Sequence, residues 1–319
     1  MPVHPGAFGK FGLGAAFAER AQNALLLRHH RPAVPRRPGS RHHARASRLL
    51  VPMESAQISR PAARPLSSAR RARIGKAAIL RSPPCRAPPC QGRLPPVNFL
   101  LVHSPVVGPS TWRWVDEALS EAGHKVIVPN LVAAAMTGDP ARFTEAAVEA
   151  TDSDEPVVLV GHSGAGAVLP NIAVGLAPRP RLILFVDAGI PPCEGVFTTG
   201  GDFLPALLEL ASDGILPKWS RWWDDDVLET IVPDQDRRRV IETELPEVPL
   251  RFYETPIAVP PGWCADAAAY LLLSDGYRRD ADRAMLLGWP VRERHGEHLD
   301  IVTCDRDIAD LLLDLAERP

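Results

Sequence analysis

From residue 97 to its end, the chain alternates short apolar runs rich in β-branched residues with longer stretches in which apolar residues recur at helical spacing. The short runs predict six strands, at 97–102, 125–128, 157–160, 181–186, 269–273 and 290–294. The longer stretches predict helices at 112–122, 140–150, 164–175, 277–288 and 306–317. This alternation is typical of a mostly parallel sheet with helices on both faces, so the predicted fold class is α/β.

A long segment at about 190–265, between the fourth and fifth predicted strands, interrupts the alternation. It is too long for a simple crossover and contains helical patterns at 202–212 and 225–244. We predict a lid over the carboxyl ends of the strands, where ligands bind in open α/β sheets. Its aromatic residues predict either an apolar pocket for an acyl or aromatic substrate or a small core of the lid itself; they are Phe203, Trp219, Trp222, Trp223, Phe252, Tyr253 and Trp263.

Residues 1–96 have a different composition from residues 97–319. They hold 18 of the 36 Lys and Arg, two of the 38 acidic residues and 14 of the 34 prolines, which gives a charge of +16 against −18 for the remainder. Such a segment buries too little apolar surface to offset ordering entropy, so we predict disorder. A start codon assigned too far upstream, an Arg-rich targeting peptide and a basic arm all explain it. The first is favoured, because a predicted strand begins immediately afterwards.

Composition also excludes several classes of protein. No run of about 18 apolar residues is present, which excludes a transmembrane protein. The charge of −18 after residue 96 argues against nucleic-acid binding. The five cysteines include no CxxC pair, which argues against a zinc ribbon or a disulfide scaffold and favours a reducing, cytoplasmic location. No phosphate loop, metal-ligand cluster or dinucleotide fingerprint is evident, so no cofactor is expected.

The strongest local motif lies where the third predicted strand meets the next helix, in the stretch VVLVGHSGAG at 157–166. A buried strand, a sharp turn with Ser163 at its apex and a helix together form a nucleophile elbow. Small residues flank the serine because the turn is strained and passes close to its neighbours. Alanine replaces the second glycine of the usual Gly-x-Ser-x-Gly pattern. The alternative is a Gly-rich turn in which Ser163 only caps the helix.

A serine nucleophile needs a general base, and histidine is the residue type suited to that role. His298 lies on a loop between the last predicted strand and the final helix, where the base is expected, and His295 is the second choice. His162 adjoins the nucleophile, but its side chain is expected to point away. His103 and His124 are assigned structural roles.

The acid that orients the histidine has two candidates, each following a predicted strand. Asp187 follows the fourth strand and Asp275 the fifth. The fifth strand is where this architecture more often carries its acid, but Tyr277 occupies the place that the acid would take. Asp187 is therefore slightly preferred. Each carboxylate has the alternative of simply capping the next helix.

From residue 97 onward, the chain resembles the α/β-hydrolase superfamily. The elbow carries most of the resemblance, and FLLVHSP at 99–105 looks like that family's first strand and oxyanion loop. Trp112, Trp114 and EAGHKV at 121–126 are similar to the plant methylesterase and hydroxynitrile-lyase branch. The resemblance implies two backbone donors for an oxyanion. Gly164 supplies one, but Pro105 has no N–H, so either Val106 supplies the second or the hole is incomplete.

The residues together predict a serine hydrolase that cleaves a small carboxylic ester or related acyl compound. Ser163 is the nucleophile, His298 the base and Asp187 or Asp275 the acid. The expected partner is the small acyl substrate, with no nucleic acid or membrane; the sequence does not fix the oligomeric state. Cofactor-free lyase chemistry at the same site and non-catalytic binding of a small molecule remain as alternatives.

Overall fold

The computed structural model describes residues 96–223 and 227–317. Its centre is a six-stranded sheet in which every neighbouring pair of strands is parallel. The strands are β1 (Asn98–Val102), β2 (Lys125–Ile127), β3 (Val158–His162), β4 (Leu182–Val186), β9 (Ala268–Leu272) and β10 (Val291–Glu293). Their order in the sheet is β10-β9-β4-β3-β1-β2.

The four central strands are buried along their whole length. Every residue of β1, β3, β4 and β9 is buried. Because successive side chains of a strand point to opposite faces, both faces of the sheet must be covered. The parallel α/β sheet predicted from the sequence is therefore confirmed.

The helices outside the inserted segment form two packing groups. In the first, α1 (Arg113–Glu121), α10 (Asp300–Thr303) and α11 (Asp305–Glu317) contact one another. The second consists of α2 (Val132–Met136), α3 (Pro140–Glu149) and α4 (Leu169–Gly175). A seventh helix, α9 (Arg278–Leu286), packs on β9. Several predicted helices begin with a 3₁₀ turn, as at Ser163–Val168 before α4.

The segment between β4 and β9 is more irregular than the sequence predicts. It contains α5 (Leu204–Leu210), α6 (Val227–Ile231), α7 (Gln235–Glu244) and α8 (Arg251–Glu254). The run predicted at 225–244 is thus two helices, since Pro233 between them cannot donate the hydrogen bond of a continuous helix. Two small antiparallel pairs were not predicted: β5 (Val196–Thr198) with β8 (Pro256–Ala258), and β6 (Ile215–Leu216) with β7 (Val248–Pro249).

A disulfide between Cys193 and Cys264 connects the two ends of this inserted segment. Cys193 follows β4, and Cys264 lies shortly before β9, the neighbouring strand of the sheet. This bond was not predicted, because the cysteine pattern of the sequence argues against a disulfide scaffold. The two thiols are 71 positions apart, and their proximity is created by the pairing of β4 with β9 rather than by a local motif.

The predictions for residues 1–96 lie almost entirely outside the residues that the structure describes. Disorder of residues 1–96, and the explanations offered for it, apply to that segment, of which only Pro96 is described. Within residues 96–223 and 227–317, no helix combines the length and the apolar character needed to cross a membrane.

Candidate active site

Ser163 lies at the sharp turn that leaves β3. Its φ of 56° is in the left-handed region that residues other than glycine rarely adopt. The side chain is partly exposed, whereas His162 before it and Ala165 after it are buried. A strained backbone that presents one hydroxyl above the carboxyl end of a buried strand is the geometry of a nucleophile elbow.

Two glycines allow the chain to pass tightly around this serine. A Cβ on Gly161 would lie 2.6 Å from the Leu169 side chain. A Cβ on Gly166 would lie 2.4 Å from the carbonyl oxygen of Gly189. The requirement for glycine after the serine is thus met at position 166. Ala165, which replaces the motif's usual glycine, is accommodated in the core.

Asp187 follows β4 directly and is completely buried. Its Oδ1 accepts hydrogen bonds from the backbone N–H groups of Leu273 and Ser274, at 2.9 and 3.0 Å. Its Oδ2 accepts the Ser274 hydroxyl at 2.6 Å. Donors of this kind satisfy a buried carboxylate in its ionised form. Its own φ is 43°, a second left-handed residue at this edge of the sheet.

His298 lies on the loop after β10, and its Nδ1 is 2.8 Å from Oδ2 of Asp187. An ionised carboxylate only accepts, so Nδ1–H donates and Nε2 is left with its lone pair. The loop is held by Asp300, whose carboxylate accepts the Glu297 N–H at 3.0 Å and also contacts the Arg294 guanidinium. The structure thus brings together Asp187 and His298, two of the residues predicted from the sequence.

His162 also contacts this loop, through a hydrogen bond that the sequence did not reveal. Its Nε2 is 2.9 Å from the backbone carbonyl oxygen of His298, and the two imidazole rings are 4.4 Å apart. Burial, together with the nearby His298, lowers the pKa of His162 well below its usual value. The ring is therefore neutral, with Nε2–H as the donor. Trp112 packs edge-on against its other side.

Tyr277 bridges the serine and the histidine. Its hydroxyl is 3.3 Å from Oγ of Ser163, and its ring stacks on the imidazole of His298 with centroids 5.2 Å apart. Among the described hydrogen bonds, Ser163 Oγ makes this one and makes none to His298. The sequence placed Tyr277 where an acid was expected but assigned it no role. Its position just after a strand end was the available signal.

The remaining candidates lie away from this cluster. Asp275 is exposed and begins a 3₁₀ turn, and His295 is exposed. His103 donates from Nδ1 to the Ser104 carbonyl at 2.8 Å, and its Nε2 accepts the Leu131 N–H at 3.0 Å. His124 accepts the N–H of Val97 at 3.2 Å. The structure gives both His103 and His124 the structural contacts that were expected of them.

The loop after β1 packs directly against the elbow. A Cβ on Gly164 would lie 3.0 Å from both Pro105 Cδ and Ser104 Oγ, so residue 164 and this loop are in close contact. Gly164 stands in the first turn of the 3₁₀ helix, where backbone N–H groups have no intrahelical acceptor. Val106 is buried, and its N–H donates to no acceptor among the described residues. Neither N–H group has a backbone acceptor among the hydrogen bonds of the described residues.

Most aromatic residues of the inserted segment are buried. Trp263 packs against both Phe185 and Trp289, which stack on each other, and its Nε1–H donates to the Pro192 carbonyl at 2.9 Å. Phe252 packs on Phe143 of α3. Both are therefore core residues, whereas Phe203 is 40% exposed. Trp219, Trp222 and Trp223 contact one another, and the first two are buried in the same hydrophobic core as the sheet.

Within residues 96–223 and 227–317, no group of three or more His, Cys, Asp or Glu side chains is placed to hold a metal ion. The site instead joins the His298 imidazole to the Asp187 carboxylate beside the turn that carries Ser163. This arrangement can move a proton from a hydroxyl to an imidazole that is held by a buried carboxylate.

The parallel sheet, the elbow and the order serine, acid, histidine define the α/β-hydrolase fold. Polyneuridine aldehyde esterase is similar over 70% of this chain and 100% of its own, with a TM-score of 0.57 and 17% identity. An extracellular α/β-hydrolase from a Paenibacillus species is similar over 69% and 99%, with a TM-score of 0.55 and 18% identity. At these identities the likeness shows the fold, and it confirms the fold expected from the sequence resemblance.

A curated protein, the carbendazim hydrolyzing esterase of Nocardioides sp. (strain SG-4G), is 34% identical over 124 residues. The match covers 36% of this chain and 48% of that esterase, so the chain spans about half the length of this relative. No protein-family model matches the chain.

Proposed function

We propose that this protein is a serine hydrolase that cleaves a small carboxylic ester or related acyl compound through an acyl-enzyme on Ser163. The observation that carries the proposal is the 2.8 Å contact of His298 Nδ1 with Asp187 at the elbow that presents Ser163. The Tyr277 and His162 contacts support it, because each links the elbow to the His298 loop.

In the proposed reaction, Nε2 of His298 removes the proton from Ser163 Oγ as that oxygen attacks the acyl carbon. The carbonyl electron pair moves onto oxygen, where the N–H groups of Gly164 and Val106 are the proposed donors. When the tetrahedral intermediate collapses, the bond to the leaving group breaks and His298 returns the proton to it. Water, activated by the same histidine, then hydrolyses the acyl-enzyme. Asp187 holds the imidazole in the required tautomer.

The relatives support ester hydrolysis in general. The curated relative is named as an esterase that hydrolyses carbendazim, and polyneuridine aldehyde esterase is among the structural neighbours. We therefore propose carbendazim as one test substrate, beside small aryl and alkyl esters. The predicted cytoplasmic location stays a prediction. The Cys193–Cys264 bond favours an oxidising compartment instead, because disulfides are rare in the cytosol.

The test is intact-mass labelling with a fluorophosphonate probe. The wild-type protein should gain one adduct, and Ser163→Ala and His298→Ala should gain none while their thermal unfolding stays cooperative. Ser120→Ala is the matched control, since that exposed hydroxyl bonds only to Asp116 within the described chain, and it should label like the wild type. An unlabelled but folded wild type would contradict the proposal and favour the lyase or binding alternatives.

A further inference from the structure

We propose that Tyr277 is a further catalytic residue of this site, whose hydroxyl donates a hydrogen bond to the Ser163 oxygen while that oxygen loses its proton and attacks. The inference rests on the proposed function and assigns a residue that the serine, histidine and aspartate set does not include.

Tyr277 is held next to the nucleophile. The Tyr277 hydroxyl is 3.3 Å from Ser163 Oγ, longer than the usual 2.7 to 2.8 Å for a bond between two hydroxyl groups. Catalytic hydrogen bonds are often long in an unliganded site and shorten in the transition state. The ring cannot swing away freely, because it stacks on the His298 imidazole at an angle of 11°. The hydroxyl therefore stays beside the nucleophile.

The Tyr277 hydroxyl keeps its proton. Burial raises the pKa of Tyr277 well above its usual value, although the hydrogen bond to Ser163 opposes the shift. The phenol accordingly stays protonated at neutral pH and acts as a donor. A bond from a neutral hydroxyl strengthens as its acceptor becomes negative, since charge-assisted hydrogen bonds are roughly twice as strong as neutral ones. It thus favours the attacking serine over the resting serine.

Ser163 Oγ has enough lone pairs to attack the substrate and to accept the Tyr277 hydrogen bond at the same time. A hydroxyl oxygen carries one proton and two lone pairs. The proton passes to Nε2 of His298, one lone pair forms the bond to the acyl carbon, and the other accepts the Tyr277 hydrogen bond. Tyr277 keeps its own proton throughout, so the step balances without another reactant.

Hydrogen bonds to Asp187 fix the turn that carries Tyr277. The turn Asp275–Tyr277 follows β9, and its N-cap residue is Ser274. The Ser274 N–H and hydroxyl both donate to the carboxylate of Asp187. Ser274 therefore binds the buried carboxylate, and Tyr277, three positions later, contacts the nucleophile.

The experiment compares Tyr277→Phe with the wild type, because phenylalanine keeps the ring on His298 and removes only the hydroxyl. We measure the second-order rate of fluorophosphonate labelling, then kcat and KM for an ester whose acylation limits turnover. Loss of a hydrogen bond to a charged group predicts a rate about 10- to 100-fold lower, with an unchanged KM. 3-Fluorotyrosine at position 277 keeps the phenolic O–H donor, so we expect it to restore the rate to within about threefold of wild type.

Tyr277→Phe with a labelling rate and kcat equal to those of the wild type would overturn the inference, as would a change confined to KM. So would failure of 3-fluorotyrosine to restore the rate in a protein with wild-type thermal stability. Each of these results requires that the wild type reacts with the probe at Ser163. Absence of labelling in the wild type would instead refute the proposed function, so the two failures are distinguishable.

Discussion

The Cys193–Cys264 disulfide makes a strong prediction about stability. We expect the double substitution Cys193→Ser with Cys264→Ser to lower the free energy of unfolding. The bond closes a loop whose ends are 71 positions apart. In the chain-entropy description, opening such a loop releases entropy to the unfolded chain that corresponds to about 4 kcal/mol at 25 °C.

This magnitude is large for a domain of this size. For chains of 150 to 250 residues, each kcal/mol moves the unfolding midpoint by roughly 2–4 °C, so the variant should unfold roughly 8–16 °C lower. The helices and strands of the inserted segment, from β5 to β8, all lie between the two cysteines. We therefore also expect proteases to cut that segment faster in the variant, because no covalent bond joins its two ends and local opening is easier.

The assay is chemical denaturation monitored by tryptophan fluorescence, with and without a reductant. Cys304→Ser is the matched control, since Cys304 is the free cysteine of the described region and its loss opens no loop. Reductant should destabilise the wild type and the control equally and leave the double variant unchanged. A double variant whose free energy of unfolding lies within about 0.5 kcal/mol of the wild-type value, roughly the uncertainty of the extrapolation, would refute this expectation.

Two further predictions concern the acid and the buried histidine after β1. Asp187→Asn should lower kcat by about 10³- to 10⁴-fold because His298 loses the partner that fixes its tautomer, and Asp275→Asn, the matched control, should change it less than twofold in the same ester assay. Burial lowers the pKa of His103 to about 4, from 6.5 when unfolded, although several nearby groups oppose the shift. Its contribution to stability is complete above pH 6.5 and is lost as the pH falls towards 4, by about 3 kcal/mol. The stability gap between the wild type and His103→Gln, measured by denaturation at several pH values, should therefore narrow on acidification; a constant gap would contradict this.

Much of the fold could be predicted because local pattern and tertiary structure agree. The buried apolar runs became parallel strands, and the stretch around Ser163 became a strained turn since strand, small residues and helix follow one another directly. His298 was selected by its place between the last strand and the last helices, and its role as the base stays a prediction. These features depend on short stretches of chain, which a single sequence displays.

The features that were missed depend on distant residues that the sheet brings together. Cys193 and Cys264 meet because β4 pairs with β9, and no spacing rule links them. The contact of Asp187 with His298 has the same origin, so the sequence left two acids open. The contact of Tyr277 with Ser163 spans 114 positions and required the packed site. Local periodicity carries no information about such pairs.

The buried carboxylate of Asp187 lies where the ends of two neighbouring strands, β4 and β9, meet. Oδ2 of Asp187, at the end of β4, lies 2.6 Å from the hydroxyl of Ser274, which follows β9. A side chain from either strand end therefore reaches nearly the same point beside the imidazole. A carboxylate carried at position 274 would reach about the place that Oδ2 of Asp187 occupies, with the histidine left where it is.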